Sequence, residues 1–247
     1  MIDIRCCDNL ELMSQISDST IDLIYCDVLY GTGRKFKDYQ DLKPKREIIE
    51  EHYQPRIKEM HRILKDTGSI YLQMDTRINH WIRMILDDVF GYNNFLNEII
   101  WCYKSGGSTA KKYSSKHDVL FFYGKTIKYI FNIQYEKSYM KIGSGKNPKQ
   151  IYHKDKFGVY TLVKQKDWFD DVGILATSAI ERNGYQTQKP KALIERIIKA
   201  SSNEGDLVAD FYAGSFTTAE VCKDLNRNFI GCDINPRAVE IGKKRCV

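Results

Sequence analysis

The sequence predicts an α/β fold built on an open, doubly wound sheet, and three stretches predict it. Leu207-Val208-Ala209-Asp210 is an apolar run ending at an acid; a small-residue turn and a segment of helical spacing (Ala219, Val221, Cys222, Leu225) follow it. Phe229-Ile230-Gly231-Cys232-Asp233 repeats the pattern, with a second acid at its tip. Ile21 to Cys26 is a continuous apolar run, as in a parallel strand buried on both faces, and it leads into Asp27-Val28-Leu29-Tyr30-Gly31. In open α/β sheets, ligands sit outside the carboxyl ends of strands and face helix N–H groups. Two candidate sites follow: Asp27 to Tyr30, and Asp210 to Thr218 together with Asp233.

The remaining elements are read in order. Ile2 to Arg5 is a first strand, and Asn9 to Ile16 has helical spacing that Ser17-Asp18-Ser19 breaks. Gly31 to Pro44 is polar and is expected to be mobile. Lys45 to Leu64 is helical with Pro55 inside it, which predicts two helices or one kinked there. Asp66-Thr67-Gly68 turns into the strand Ser69 to Met74, and Arg77 to Phe90 is a helix stopped by Gly91. Asn97 to Tyr103 and Asp118 to Tyr123 read as an antiparallel pair, with the loop Ser105-Gly106-Gly107-Ser108 between them. From Glu136 to Tyr185 periodicity fades, except for a strand signal over Gly158 to Val163, so this stretch reads as an inserted lobe. Gln188 to Ser202 is a helix with Pro190 in its first turn, and Asn235-Pro236 starts the last helix. The division expected is 1–123, an insertion over 124–185, and 186–247.

Composition narrows the function classes. No apolar run approaches the roughly 18 residues of a membrane-spanning helix, and Met1 to Arg5 lacks the pattern of a signal peptide. The seven cysteines are scattered, without a Cys-x-x-Cys pair, which suits reduced thiols in a cytoplasm. Cys26 reads as a buried strand thiol, and Trp101 and Trp168 as packing residues. The five histidines show no ligand spacing, so no metal site is expected. The net charge of +6 is unevenly placed: Trp101 to Lys166 holds fourteen Lys and no Arg against three acids, so the rest of the chain is net negative. Tyrosines interleave with those lysines, among them Tyr103, Tyr113, Tyr123, Tyr129, Tyr135, Tyr139 and Tyr152. A nucleic-acid face needs such cations for phosphates and rings for bases. A solvated lysine-rich loop region has the same composition.

Each acidic tip suits a particular task. Asp233 is placed to accept hydrogen bonds from both hydroxyls of a ribose, which points to an adenosine-containing ligand. Tyr30, three residues after Asp27, suits a planar base that stacks on the ring while Asp27 accepts from its exocyclic amino group. An acid that simply ends a strand is also an ordinary turn or cap residue. Thr217 and Thr218 read equally as helix-capping groups or ligand contacts.

The order of these motifs resembles the β class of DNA amino-methyltransferases, in which a catalytic Asp-Pro-Pro-Tyr tetrad precedes a target-recognition region and a late Phe-x-Gly-x-Gly cofactor loop. Asp27-Val28-Leu29-Tyr30 occupies the tetrad position and Tyr212-Ala213-Gly214-Ser215-Phe216 the loop. Thr187-Gln188-Lys189-Pro190 looks like the segment that closes over the methionine end of the cofactor, and Asp233 matches the ribose acid. The resemblance implies a Rossmann-like mixed sheet of the methyltransferase type, S-adenosylmethionine as cofactor, and methyl transfer to adenine N6 in double-stranded DNA. It also implies catalytic roles for Asp27, Val28, Leu29 and Tyr30, and cofactor contacts from Lys189, Asp210, Phe211, Tyr212, Ala213, Gly214, Ser215, Thr217 and Asp233. A second copy of the chain and a cognate restriction endonuclease are the partners it allows. A catalytically inactive DNA-binding relative, a cytosine-N4 enzyme and an RNA methyltransferase are the alternatives. Two departures fall on the motifs: Val28 and Leu29 replace both prolines, and Phe216 replaces the last glycine. The benzyl group of Phe216 is expected to occupy cofactor space or strain the turn, unless it swings into the core.

Overall fold

The computed structural model describes residues 1–37, 39–103, 108–141, 145, 147 and 149–246. Its elements are β1 (Ile2–Cys6), α1 (Asn9–Ser14), β2 (Ile21–Asp27), α2 (Arg46–Ile63), β3 (Leu64–Met74), α3 (Asn79–Phe90), β4 (Phe95–Cys102) and β5 (His117–Gly124). There follow β6 (Tyr135–Tyr139), β7 (His153–Asp155), β8 (Gly158–Lys164), β9 (Trp168–Phe169), α4 (Lys191–Ser201), β10 (Leu207–Asp210), α5 (Thr217–Asp224), β11 (Asn228–Asp233) and α6 (Pro236–Arg245).

The main sheet has the order β1-β11-β10-β2-β3-β5-β4-β9. Its first five strands are parallel, and β5 runs antiparallel to both β3 and β4. The fold is therefore the doubly wound, mixed α/β sheet that the apolar runs predict. Both faces are covered: α1, α2 and α3 pack one, through residues such as Leu12, Ile57 and Ile82. Helices α4, α5 and α6 pack the other, through Ile197, Ala219 and Val239. Strand order reverses between β2 and its neighbour β10, so Asp27 and Asp210 end adjacent parallel strands at the switch point, where such sheets bind ligands.

Several elements differ from expectation, each for a local reason. Helix α2 runs unbroken through Pro55, because Ile49, Tyr53, Ile57 and Met60 bury one continuous stripe against the sheet. Asp66-Thr67-Gly68 lies inside the long β3 as an irregularity: register passes from Ile21↔Leu64 to Leu23↔Ser69. Pro190 is the N-cap of α4 rather than a first-turn residue. The fading stretch holds a separate three-stranded antiparallel sheet, β6-β8-β7, and then returns to the main sheet as β9, parallel to β4. Trp101 packs as expected, its indole N–H donating to the Val172 carbonyl at 2.7 Å, whereas Trp168 is half exposed beneath the Lys166 ammonium. Of the expected Ser105-to-Ser108 loop, residues 105–107 lie outside the described residues.

The segment after β2, expected to be mobile, is tied down. Asp41, 3% exposed, accepts from the Gly31 and Thr32 amides, the Thr32 hydroxyl and the Leu42 amide, at 3.1, 2.7, 2.5 and 2.8 Å. Four donors on one carboxylate close the segment into a compact loop. Gly31, with φ +66, makes the bend that starts it. Among the described residues, no helix is long and apolar enough to cross a membrane, and no group of three His, Cys, Asp or Glu could hold a metal ion.

Candidate active site

The end of β2 presents Asp27 to a cavity, and hydrogen bonds hold the turn where the resembled tetrad has prolines. The Val28 amide donates to the Gln73 carbonyl at 3.0 Å, and the Leu29 carbonyl accepts from the Tyr53 hydroxyl at 2.8 Å. Asp27 Oδ2 forms an ion pair with Lys189 Nζ, which also lies 5.2 Å from the centre of the Tyr30 ring. Tyr30 Oη stands 2.9 Å from Asp27 Oδ1 and 2.6 Å from Asp118 Oδ2. Burial raises the Asp27 carboxyl above its ordinary pKa, and Lys189 opposes that shift.

On the neighbouring strand, Asp210 is fully enclosed. Its oxygens accept from the Thr218 hydroxyl at 2.6 Å and the Tyr212 amide at 3.0 Å, yet burial pushes its pKa up to about 7. The loop that follows is held from below: the Phe211 amide donates to Cys26 Sγ at 3.3 Å, and the Ala213 amide to the Cys232 carbonyl at 3.2 Å. Cys26 is the buried strand thiol expected. Gly214 takes φ +49 and donates its amide to Asp233 Oδ2 at 3.0 Å, so the tip of β11 fixes the loop. The Tyr212 hydroxyl meets His52 Nε2 at 2.9 Å; burial lowers the His52 pKa to about 4, so that ring is neutral at pH 7.

Phe216 settles which way its side chain goes. The residue adopts left-handed backbone, φ 56 and ψ 37, and caps α5 with its ring wholly buried. That ring packs edge-on against Phe229, 6.3 Å between centroids, and against Gly242 of α6. The expectation that it fills ligand space is thus corrected: the left-handed turn carries the benzyl group into the core on the α4–α6 face. The neighbouring hydroxyls are engaged. Thr217 Oγ1 accepts from Arg245 Nη1 at 3.1 Å and lies 3.2 Å from Ser215 Oγ, while Thr218 serves Asp210. Neither caps α5 through its side chain.

One cavity of about 350 Å³ joins the two regions. Every sequence-predicted site residue lines it: Asp27 to Tyr30, Lys189, Asp210 to Ser215, Thr217 and Asp233, with Phe216 absent from its wall. Sequence reasoning missed Phe36 and Tyr39, whose rings stack 4.8 Å apart on the Asp41-closed loop, and Tyr185, whose ring lies over Gly214. It also missed Asp118 at the start of β5, where an acid next to His117 carries no motif. The chemistry available is a carboxylate and an aromatic at one end, a second strand-tip acid at the other, and a glycine between.

The sequence profile of the N6/N4 DNA methylase family matches residues 21–244. The chain belongs to that family. Among DNA methylase relatives, the DNA adenine methyltransferase YhdJ of Escherichia coli K12 is 34% identical over 96% of this chain and 80% of its own length. The Type II methyltransferase M.HpaI of Haemophilus parainfluenzae is 32% identical over 97% of this chain and 72% of its own. Two solved structures share the fold. The cytosine-N4-specific PvuII DNA methyltransferase has a TM-score of 0.70 at 17% identity, covering 100% of this chain and 86% of that one. The M1.HpyAVI–SAM complex has a TM-score of 0.63 at 20% identity, covering 99% and 98%. As a DNA methylase, the chain departs from the β-class pattern at Val28, Leu29 and Phe216; the first two line the cavity, and the third is turned into the core.

Proposed function

We propose that this DNA methylase transfers a methyl group from S-adenosylmethionine to the N6 amino group of adenine in duplex DNA. The observation that carries the reading is one cavity bounded by Asp27 and Tyr30 at one end and by Gly214 and Asp233 at the other, with the Phe216 ring outside it. The residues fit the cofactor: the cavity falls in the size range of small-molecule sites, a left-handed glycine lines it, and a strand-tip acid is placed for ribose. When bound, S-adenosylmethionine supplies an electrophilic methyl group on a sulfonium.

The chain's own residues orient the nucleophile. A base flipped from the duplex stacks on Tyr30, and its amino group donates to Asp27 and to the Val28 carbonyl. Those bonds fix the direction of the nitrogen lone pair, so catalysis is mainly positioning. Each Asp27 oxygen has one protein neighbour, Lys189 or Tyr30, and a carboxylate oxygen keeps a further lone pair for the amino group. Asp233 takes the ribose hydroxyls, and Lys189, Asp210 to Ser215 and Thr217 line the rest of the cofactor. The region 124–185 reads the target, and the lysine-rich stretch, including exposed Lys111, Lys112 and Tyr113, holds phosphates and bases. Asp at the head of the tetrad and the 34% identical adenine methyltransferase both favour adenine over cytosine N4.

Incubation with methyl-labelled S-adenosylmethionine and mixed-sequence duplex DNA, followed by digestion to nucleosides, tests the proposal. Label in N6-methyladenine, abolished by Asp27→Ala, is the expected result. Label in N4-methylcytosine would redirect the reading to cytosine. DNA binding without label would favour the inactive relative.

A further inference from the structure

Beneath the catalytic turn lies a buried polar network centred on Asp118, a residue outside the matched motifs. Asp118, 3% exposed on β5, receives three donors on its two oxygens. Tyr103 Oη lies 3.1 Å from Oδ1, and Gln73 Nε2 and Tyr30 Oη lie 3.1 and 2.6 Å from Oδ2. The Gln73 amide is held in that orientation by the Tyr25 hydroxyl, which donates to Gln73 Oε1 at 2.8 Å. The Tyr30 hydroxyl has one hydrogen and two carboxylate neighbours, and Asp118 is the nearer by 2.6 against 2.9 Å.

We propose that Asp118 is a positioning residue that acts on Asp27 through Tyr30: it accepts the hydrogen bond of the phenolic O–H and leaves an oxygen lone pair facing Asp27 Oδ1. Asp27 is thereby prepared to hold a proton. This deepens the methyl-transfer reading and rests on it. As nitrogen bonds the methyl, the sulfonium C–S bond would break with its electron pair left on sulfur, and the amino group loses a proton: the N–H bond breaks, its electron pair stays on nitrogen, and an O–H bond forms at Asp27 Oδ1. The new O–H then donates to Tyr30 Oη, whose own hydrogen stays bonded to the phenol and directed at Asp118 Oδ2. Asp118 also pins the ring on which the base would stack, in a turn without the pattern's two prolines. The other groups facing Asp27 are Lys189, which favours its ionised form, and Asp210 and Tyr25 on the adjoining strands.

The test is a carbon-13 NMR titration of the ligand-free full chain labelled at aspartate Cγ, with the Asp27 resonance assigned by its loss in Asp27→Asn. Tyr30→Phe removes the acceptor and is expected to lower the Asp27 pKa by about one unit. A hydroxyl that donated to Asp27 instead would give the opposite sign, so a rise in Tyr30→Phe overturns the proposal. Asp118→Asn frees the phenolic hydrogen for Asp27 and also removes a nearby charge, so it lowers the same pKa. In the Tyr30→Phe background only the charge effect is left, and the shift is expected to fall to less than half. Equal shifts in the two backgrounds overturn the proposal as well. Tyr30→Phe alone decides the sign where Asp118→Asn does not fold. Neither titration needs cofactor or DNA, so these failures count against the Asp118 relay, whereas absent methyl transfer counts against the function.

Discussion

The ring of Phe216 lies against the backbone of Gly242, on the side of the loop between β10 and α5 that faces away from the cavity. A Cβ built on Gly242 would come within 2.5 Å of Phe216 Cγ and Cδ2, so the ring needs a residue without a side chain at that point of α6. Gly242→Ala should therefore push Phe216 out of its slot and weaken cofactor binding, although residue 242 lies outside the cavity wall. Phe216→Gly should not restore a better site, because there is no obstruction to remove. It relieves left-handed strain of about 1–2 kcal/mol but opens a core cavity costing about 3–5 kcal/mol. Thermal unfolding should show Phe216→Gly destabilised by roughly 1–4 kcal/mol, and a stabilised variant would contradict this placement.

Asp210 gives stability a pH dependence of predictable sign. Its folded pKa of about 7 lies above the ordinary value of 3.8, so between those values the folded chain holds a proton that the unfolded chain has released. Its contribution is therefore favourable at low pH and lost as pH rises from about 4 to 7. Across that window, Asp210→Asn should gain stability relative to the parent, by up to about 4 kcal/mol. Chemical denaturation at pH 4.5 and 7.5 measures it; a stability gap that stays constant would contradict the buried, proton-holding carboxyl.

Asp41 closes the loop that carries Phe36 and Tyr39 over the cavity. Asp41→Ala strands four donors and should cost about 2–4 kcal/mol, with the loop cut earlier than the rest of the chain in limited proteolysis. Unchanged cleavage between residues 31 and 44 would show that the loop is held by other means.

Lys189 sets how acidic a medium the proposed catalytic carboxylate, Asp27, tolerates. Removing the ammonium leaves Asp27 buried without its cation, so its pKa rises further. In Lys189→Met the acid limb of the methyl-transfer rate should move to higher pH by about one unit. A limb that stays in place would separate Lys189 from Asp27.

Much of this architecture was legible in the chain. The apolar runs ending at Asp27, Asp210 and Asp233 marked three strand tips, because buried parallel strands allow no alternation and the acid appears where burial stops. Gly91 stops α3 with φ +85, as its position predicts. The fate of Phe216 was not legible, since it depends on φ 56 and on a glycine twenty-six positions later along the chain. Asp118, Gln73 and Asp41 were hidden for a related reason: each works through partners that the sheet or loop assembles, and no local spacing signals them. The short strands β6, β7 and β9 escaped because two to five residues are too few to set a period.

The most direct test of the account is a calorimetric titration of S-adenosylmethionine into the protein without DNA. Saturable heat at one site per chain is the expected result, weakened at least about tenfold in Asp233→Ala by loss of the ribose contact. No heat from the folded parent chain would contradict it, because the crevice between Asp27 and Asp233 would then be a cavity that the cofactor does not enter.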